Sequence, residues 1–192
     1  MSDDKKFDPM KRNKLNDPLR LKWVPPARIV QTMDLKEGGE YVDLGAGTGY
    51  MSRAIGNLID APVIHAVDIE PIMVAEMEST LSGVAWIKPT LMERDKLPFA
   101  DRSIDGLWNI TVFHEFGSPK AILSEIHRVL KPGGSLLVID WLKKPESCDQ
   151  GPPLDHRVAE SDVTSHLQEA GFTGVSFVDG FIHHFGIIAR KT

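Results

Sequence analysis

The chain has 192 residues, 42% hydrophobic and 26% charged, a composition that suits one globular domain with a short arm and excludes collagen, coiled coil and bulk disorder. Charge is uneven: residues 1–22 hold seven Lys/Arg and four Asp, the remainder 15 basic against 23 acidic residues, so the body carries no basic surface for a nucleic-acid backbone. Apolar runs are too short for a membrane span, the N-terminus lacks the apolar core of a secretory signal, and the single cysteine, Cys148, permits neither an internal disulfide nor a Cys-based zinc site, which points to a reducing, cytoplasmic setting.

Strand-like and helix-like patterns alternate along the chain. After an arm over residues 1–22, a single domain over 23–192 begins with Pro25-Pro26 and a helix over Ala27–Leu35, in which Ile29, Val30 and Met33 share one face. Tyr41–Leu44 is a short apolar strand. Tyr50–Ile59 reads as a helix, Val63–Val67 as a buried strand ending at Asp68, Pro71–Leu81 as a helix, and Val84–Ile87 and Ser103–Thr111 as strands. Ser118-Pro119 starts a helix that Lys131-Pro132-Gly133-Gly134 stops. Ser135–Asp140 is apolar enough to be a central strand. Ser161 caps a helix closed by Gly171, and Val175–Val178 with Phe185–Ala189 form a terminal antiparallel pair. This order predicts an α/β, doubly wound, mostly parallel sheet, with ligands bound beyond the C-terminal strand ends where strand order reverses.

The first strand runs into Asp43-Leu44-Gly45-Ala46-Gly47-Thr48-Gly49-Tyr50. Alternating glycines between strand and helix clear the backbone of bulk, so a ligand can lie against it; a tight turn needing glycine for conformation alone has the same pattern. Asp68, at the end of the second strand, can accept from a ribose diol, with Glu70 as competitor and a helix N-cap as the structural alternative. A dinucleotide fingerprint requires a glycine at the position of Tyr50, so the turn suits a nucleoside without a diphosphate.

The motifs DLGAGTG, AVDIEP, DKLPFADRSIDGLW, HEF and HRVLKPGG before SLLVIDW, in this order over residues 25–190, resemble class I S-adenosylmethionine-dependent methyltransferases, in particular the small-molecule type that includes the ubiquinone/menaquinone-biosynthesis enzymes. FDP with KWVPP, and GPPLDHR, resemble compact prokaryotic members. The resemblance implies a Rossmann-like seven-stranded sheet with an antiparallel last strand, S-adenosyl-L-methionine as cofactor and a small-molecule methyl acceptor. It also implies that Asp43, Gly45, Ala46 and Gly47 hold the methionine end, Asp68 the ribose, Ile69 and Met73 the adenine, and the Asn109 backbone the methionyl part. Glu93 stands where relatives carry an aspartate near the adenine amino group, in a loop that otherwise departs from theirs.

Candidates for acceptor chemistry are His114, Arg157 and Trp141, with Thr111, Glu115 and Asp140 nearby. A buried or surface role competes at each: His114 as a strand–helix closure, Trp141 as packing, Arg157 as an ion pair. Trp86 and Trp108 read as core residues in strands. Adjacent His183-His184 on a strand point to opposite faces and make a poor metal pair; no other spacing suggests a metal. Cys148 reads as a loop residue. A non-catalytic nucleoside-binding module remains an alternative, as does, less favourably, a nicotinamide oxidoreductase. The arm, with two Asp-Pro turns and Phe7, is a lid plugged by Phe7 or Trp23, or a solvated tail.

Overall fold

The computed structural model describes residues 7–147 and 151–192; Cys148 lies outside them. A seven-stranded sheet runs in the order β3-β2-β1-β4-β5-β7-β6, with β1 at Glu40–Leu44, β2 at Val63–Asp68, β3 at Ile87–Leu91, β4 at Ile104–Ile110, β5 at Leu130–Trp141, β6 at Thr173–Val178 and β7 at His184–Arg190. β7 runs antiparallel to both β5 and β6, and the other pairings are parallel. Strand order reverses between β1 and β4, the crevice where such sheets bind ligands.

Among the described residues, six α-helices accompany the sheet: α1 (Leu19–Trp23), α2 (Pro26–Met33), α3 (Tyr50–Gly56), α4 (Pro71–Thr80), α5 (Pro119–Val129) and α6 (Glu160–Glu169). The alternation of β4 divides the core: Leu107 joins Ile122, Ile126 and Val163 of α5 and α6, whereas Trp108 and Ile110 join Ile29, Met51 and Ile55 of α2 and α3. Ser118 Oγ accepts from Ala121 N–H at the start of α5, and Lys191 Nζ donates to the carbonyls of His127 and Leu130 at its far end, satisfying orphan groups at both termini. Arg128 of α5 donates to the carbonyls of Leu97 and Phe99 and so fastens the LPFAD segment to the helix.

Four expectations are corrected. The third strand lies at Ile87–Leu91, and Val84 and Trp86 belong to the turn before it. The displacement has a physical cause: β3 is an edge strand, and Lys88, Pro89 and Thr90 are partly exposed or exposed there, so apolarity does not mark it. Trp108 is a core strand residue, but Trp86 is not in a strand. Helix α6 begins at Glu160 after Ala159, without a side-chain cap from Ser161. His183 sits at φ +64 in the connector, while His184 opens β7 and is buried. The arm is also more ordered than its composition suggests: Asp8 caps a 3-10 helix over Pro9–Asn16, and Asp17 accepts from Leu19 N–H at the start of α1. Both Asp-Pro steps therefore start helical segments.

Leu107 is fully buried in central β4. Leu107→Ala should cost about 2–5 kcal/mol in urea unfolding, from lost transfer energy plus the residual cavity, whereas Phe177→Ser, at a position 68% exposed on edge strand β6, should stay within about 0.5 kcal/mol.

Candidate active site

The turn after β1 is held open for a ligand by backbone conformation. Gly45 (φ +76) and Gly47 (φ +59) both occupy the left-handed region. A Cβ on Gly45 would stand 2.5 Å from Val112, and one on Gly47 would stand 2.7 Å from Leu15 of the arm. The N–H groups of Gly45 and Ala46 both donate to the Val67 carbonyl at the end of β2. Gly47 N–H donates to Asp68 Oδ2 at 2.8 Å, and Glu70 N–H to Asp68 Oδ1 at 3.0 Å. Gly45 and Gly47 thus bring no side chains of their own to the turn, and the N–H groups of Gly45, Ala46 and Gly47 are already engaged.

Two carboxylates flank this turn. Asp43 is buried and accepts from Ser52 Oγ at 2.7 Å; burial pushes its pKa up to about 6, against the pull of Ser52 and Arg20. Burial also raises Asp68, opposed by the N–H groups of Glu70 and Gly47. Arg20, absent from the sequence-derived candidates, faces Asp43 from α1; burial pulls its pKa down and the negative charge of Asp43 opposes the shift. It also donates to the nearby Leu15 carbonyl, but Asp43 is remote in sequence, so the local pattern shows no more than a cation one helical turn before Trp23.

Beyond β4 and β5 lies a cavity of about 500 Å³. Trp23, Val24, Met51, Ile110 and Trp141 form its apolar walls; Arg20, Thr111, His114, Glu115 and His184 supply polar groups. Trp23 meets Trp141 edge-on with centroids 6.4 Å apart, and His184 lies against Trp141 at 4.2 Å. His184 Nδ1 donates to the Ile182 carbonyl, and burial holds its pKa down to about 4, so the ring is neutral. His114 Nδ1 lies 2.8 Å from Asp140 Oδ1. Burial alone would lower the His114 pKa, but the hydrogen bond and charge of Asp140, with Glu115 adding, raise it overall. Burial lifts Glu115 to about 7, opposed by His114 and by the Phe7 N–H that its carboxylate accepts.

The arm spans turn and cavity together. Leu15 rests on Gly47, Asn16 Oδ1 accepts from Thr48 Oγ1 at 2.6 Å, Arg12 pairs with Glu76 of α4, and Ile182 N–H donates to the Trp23 carbonyl.

The remaining candidates are placed as follows. Ile69 is partly exposed beyond β2, while Met73 is buried on α4. Glu93 is exposed in a tight turn bridged to Lys96. Asn109 is fully buried with neither amide atom hydrogen-bonded; strand alternation puts it on the Leu107 side, away from the cavity. Arg157 donates to the carbonyls of Pro152 and Leu142 and lies over the Trp141 ring at 5.6 Å. It therefore fastens the segment after β5 against Trp141. Among the described residues, no helix is long and apolar enough to cross a membrane.

Against this geometry stand the comparisons with known proteins. The methyltransferase domain family matches residues 42–138, and the chain belongs to that family. A ubiquinone/menaquinone biosynthesis C-methyltransferase of Neisseria meningitidis is 34% identical over 122 residues, 59% of this chain and 47% of the relative. A dimethylglycine N-methyltransferase of Parasynechococcus marenigrum is 33% identical over 110 residues, 55% of this chain and 39% of the relative. The chain thus spans about half or less of the length of these curated relatives. The crystal structure of an S-adenosylmethionine-dependent methyltransferase from Aquifex aeolicus superposes with a TM-score of 0.85 at 31% identity, covering 97% of this chain and 100% of that one.

The family and fold imply S-adenosylmethionine, and the site fits it. An ionised carboxylate offers about four acceptor positions, so Asp68 retains capacity for a diol beside its two backbone donors. The paired acids Asp43 and Asp68 suit a cationic ligand, and the glycines add no side chain of their own, so a ligand on Gly47 has only Leu15 of the arm to displace there.

The raised Glu115 pKa has a stability consequence. Protonation is favoured in the folded state, so the glutamate's contribution is most favourable below 4.5 and is lost as pH rises to about 7. Glu115→Gln, which keeps an acceptor for Phe7 N–H, should gain on wild type through that window by about 2–3 kcal/mol, read from denaturant unfolding at stepped pH.

Proposed function

We propose that the protein transfers the methyl group of S-adenosylmethionine to a small molecule held in the cavity beyond β4 and β5. The observation that carries this reading is the juxtaposition of the Gly45–Gly47 turn and its two acids with a separate, aromatic-walled cavity of about 500 Å³, a size suited to a small ligand. Asp68 receives the ribose hydroxyls. Asp43 and the carbonyl side of Gly45, Ala46 and Gly47 receive the methionine end, and Ile69 offers an apolar face to the adenine. Bound there, the cofactor supplies a methyl group already activated by the positive charge on its sulfur. The chain's own task is then to hold the acceptor in line and keep water out, a positioning effect worth several kcal/mol of barrier. The acidic body and single cysteine fit a cytoplasmic enzyme of small-molecule metabolism rather than one acting on nucleic acid.

Calorimetry with S-adenosylmethionine should give micromolar-range binding, roughly −8 kcal/mol, with no comparable uptake of NADH. Asp68→Ala should weaken it by about 1.5–3 kcal/mol per charge-assisted hydrogen bond lost and also lower the melting temperature, since Asp68 holds the turn through Gly47. Unchanged affinity in that variant would remove Asp68 from the ribose site. Turnover is read as S-adenosylhomocysteine released with a metabolite mixture; its absence despite tight binding favours a non-catalytic module.

The arm is assigned as a lid, with Leu15 over the turn and Phe7 on the cavity wall, which keeps water from the reacting centre. Removing residues 1–18 should weaken cofactor binding or abolish turnover while leaving the melting transition in place. Binding and turnover equal to wild type would make the arm a tail.

A further inference from the structure

We infer that His114 and Asp140 form a general-base dyad, and that the acceptor is a planar molecule entering with its proton still on a phenol- or enol-type hydroxyl. The inference rests on the methyl-transfer reading above and adds the acceptor's chemistry to it.

Asp140, at the end of β5, is fully buried. Its carboxylate takes the backbone N–H groups of His114 at 3.0 Å and Trp141 at 2.7 Å, together with His114 Nδ1 at 2.8 Å. An ionised carboxylate only accepts, so the Nδ1 position carries the proton and Nε2 holds the lone pair in the neutral ring. The nearest acid to Nε2 is Glu115 Oε1 at 3.8 Å, beyond hydrogen-bond reach. The ring is thus fixed by one nitrogen and offers the other to a cavity that His114 itself lines. A residue serving only to close the strand–helix link needs no such division of roles.

The backbone supports the same assignment. Thr111, a β-branched residue, is held at φ +60 between β4 and the 3-10 turn Phe113–Glu115. That conformation is costly for its type and clusters at functional sites; here it stands three residues before His114 on the cavity wall. Trp141 and Trp23 border the same space, and His184, fixed at Nδ1 by Ile182 O and packed against Trp141, lines it too. The aromatic rings of Trp23, Trp141 and His184 on the cavity wall favour a planar acceptor.

In the step itself the acceptor O–H bond breaks and its proton passes to His114 Nε2. The oxygen electron pair forms the new O–CH3 bond while the old C–S pair stays on sulfur. The resulting imidazolium is held by Asp140 until the proton leaves to water. The groups facing the ring are Asp140 from β5, Glu115 from its own turn and Arg157 from the segment before α6, with Arg20 and His184 on other walls of the cavity. Their net effect raises the His114 pKa above its ordinary 6.5, so the active, neutral ring gains population as pH rises through that raised value.

The test uses the full chain with S-adenosylmethionine and phenol, 4-cyanophenol and 4-nitrophenol, in order of rising acidity. His114→Gln should lower turnover of phenol by about 100-fold or more, and the loss should shrink toward nothing at 4-nitrophenol, which arrives largely ionised. In parallel, the His114 ring resonance of the cofactor-free protein should titrate above the ordinary histidine value and fall in Asp140→Asn. An equal loss on all three phenols, no loss, or a His114 titration indifferent to Asp140→Asn overturns the dyad. If Asp140→Asn does not fold, the wild-type titration and the His114→Gln series decide alone. A wild type that binds S-adenosylmethionine by calorimetry but methylates no phenol overturns the acceptor class and leaves the methyl-transfer reading standing; failure to bind the cofactor overturns that reading itself.

Discussion

The hydrogen bond from Gly47 N–H to Asp68 Oδ2 joins the turn after β1 to the end of β2, and the rest of the site depends on it. A glycine turn alone is permissive, since the residues that open it for a ligand also leave it free to wander. Here the Val67 carbonyl takes two of its N–H groups and Asp68 a third. The turn is thereby set at one height above the sheet, Leu15 of the arm can close on Gly47, and α3 leaves at a fixed angle toward Met51 and the cavity. One carboxylate thus shapes the backbone with part of its acceptor capacity.

The same region carries an electrostatic cost. Asp43, Asp68 and Glu115 are all raised chiefly by burial, so each is held in a setting that disfavours its ionised form. Three destabilising acids at one end of a sheet would be a poor solution for folding alone. They are consistent with a pocket that recovers its stability when a cationic ligand arrives. Arg20 approaches Asp43 from the arm and offsets part of this cost in the protein by itself.

Where one short segment carries all of the relevant chemistry, the sequence was readable. The apolar run into Asp43-Leu44-Gly45, the Asp68 that ends β2, and the Ser118-Pro119 start of α5 are local signals, and the fold follows from their order. The failures share a cause in long-range contacts. β3 lies at an edge and carries Pro89, so beyond Ile87 burial does not mark it. Arg20 acquires its role from Asp43, more than twenty residues away. Arg157 is a candidate for acceptor chemistry by type, yet its guanidinium also holds the Leu142 carbonyl at the end of the preceding strand, which the folded chain brings near. His114 and Asp140 were each legible as candidates, but their pairing spans 26 residues and belongs to the topology that sets β4 beside β5.

The two outer strands have a consequence for the solubility of the sheet. Pro89 leaves β3 without a backbone donor in its middle, and on the opposite side the pairing of β6 with β7 shifts register between Thr173 and Ser176, around Gly174 at φ +59. An incoming strand would find a missing hydrogen bond at one border and a broken ladder at the other. Edge-to-edge growth into larger assemblies is therefore discouraged at both borders, even though Phe177 stands exposed on one of them.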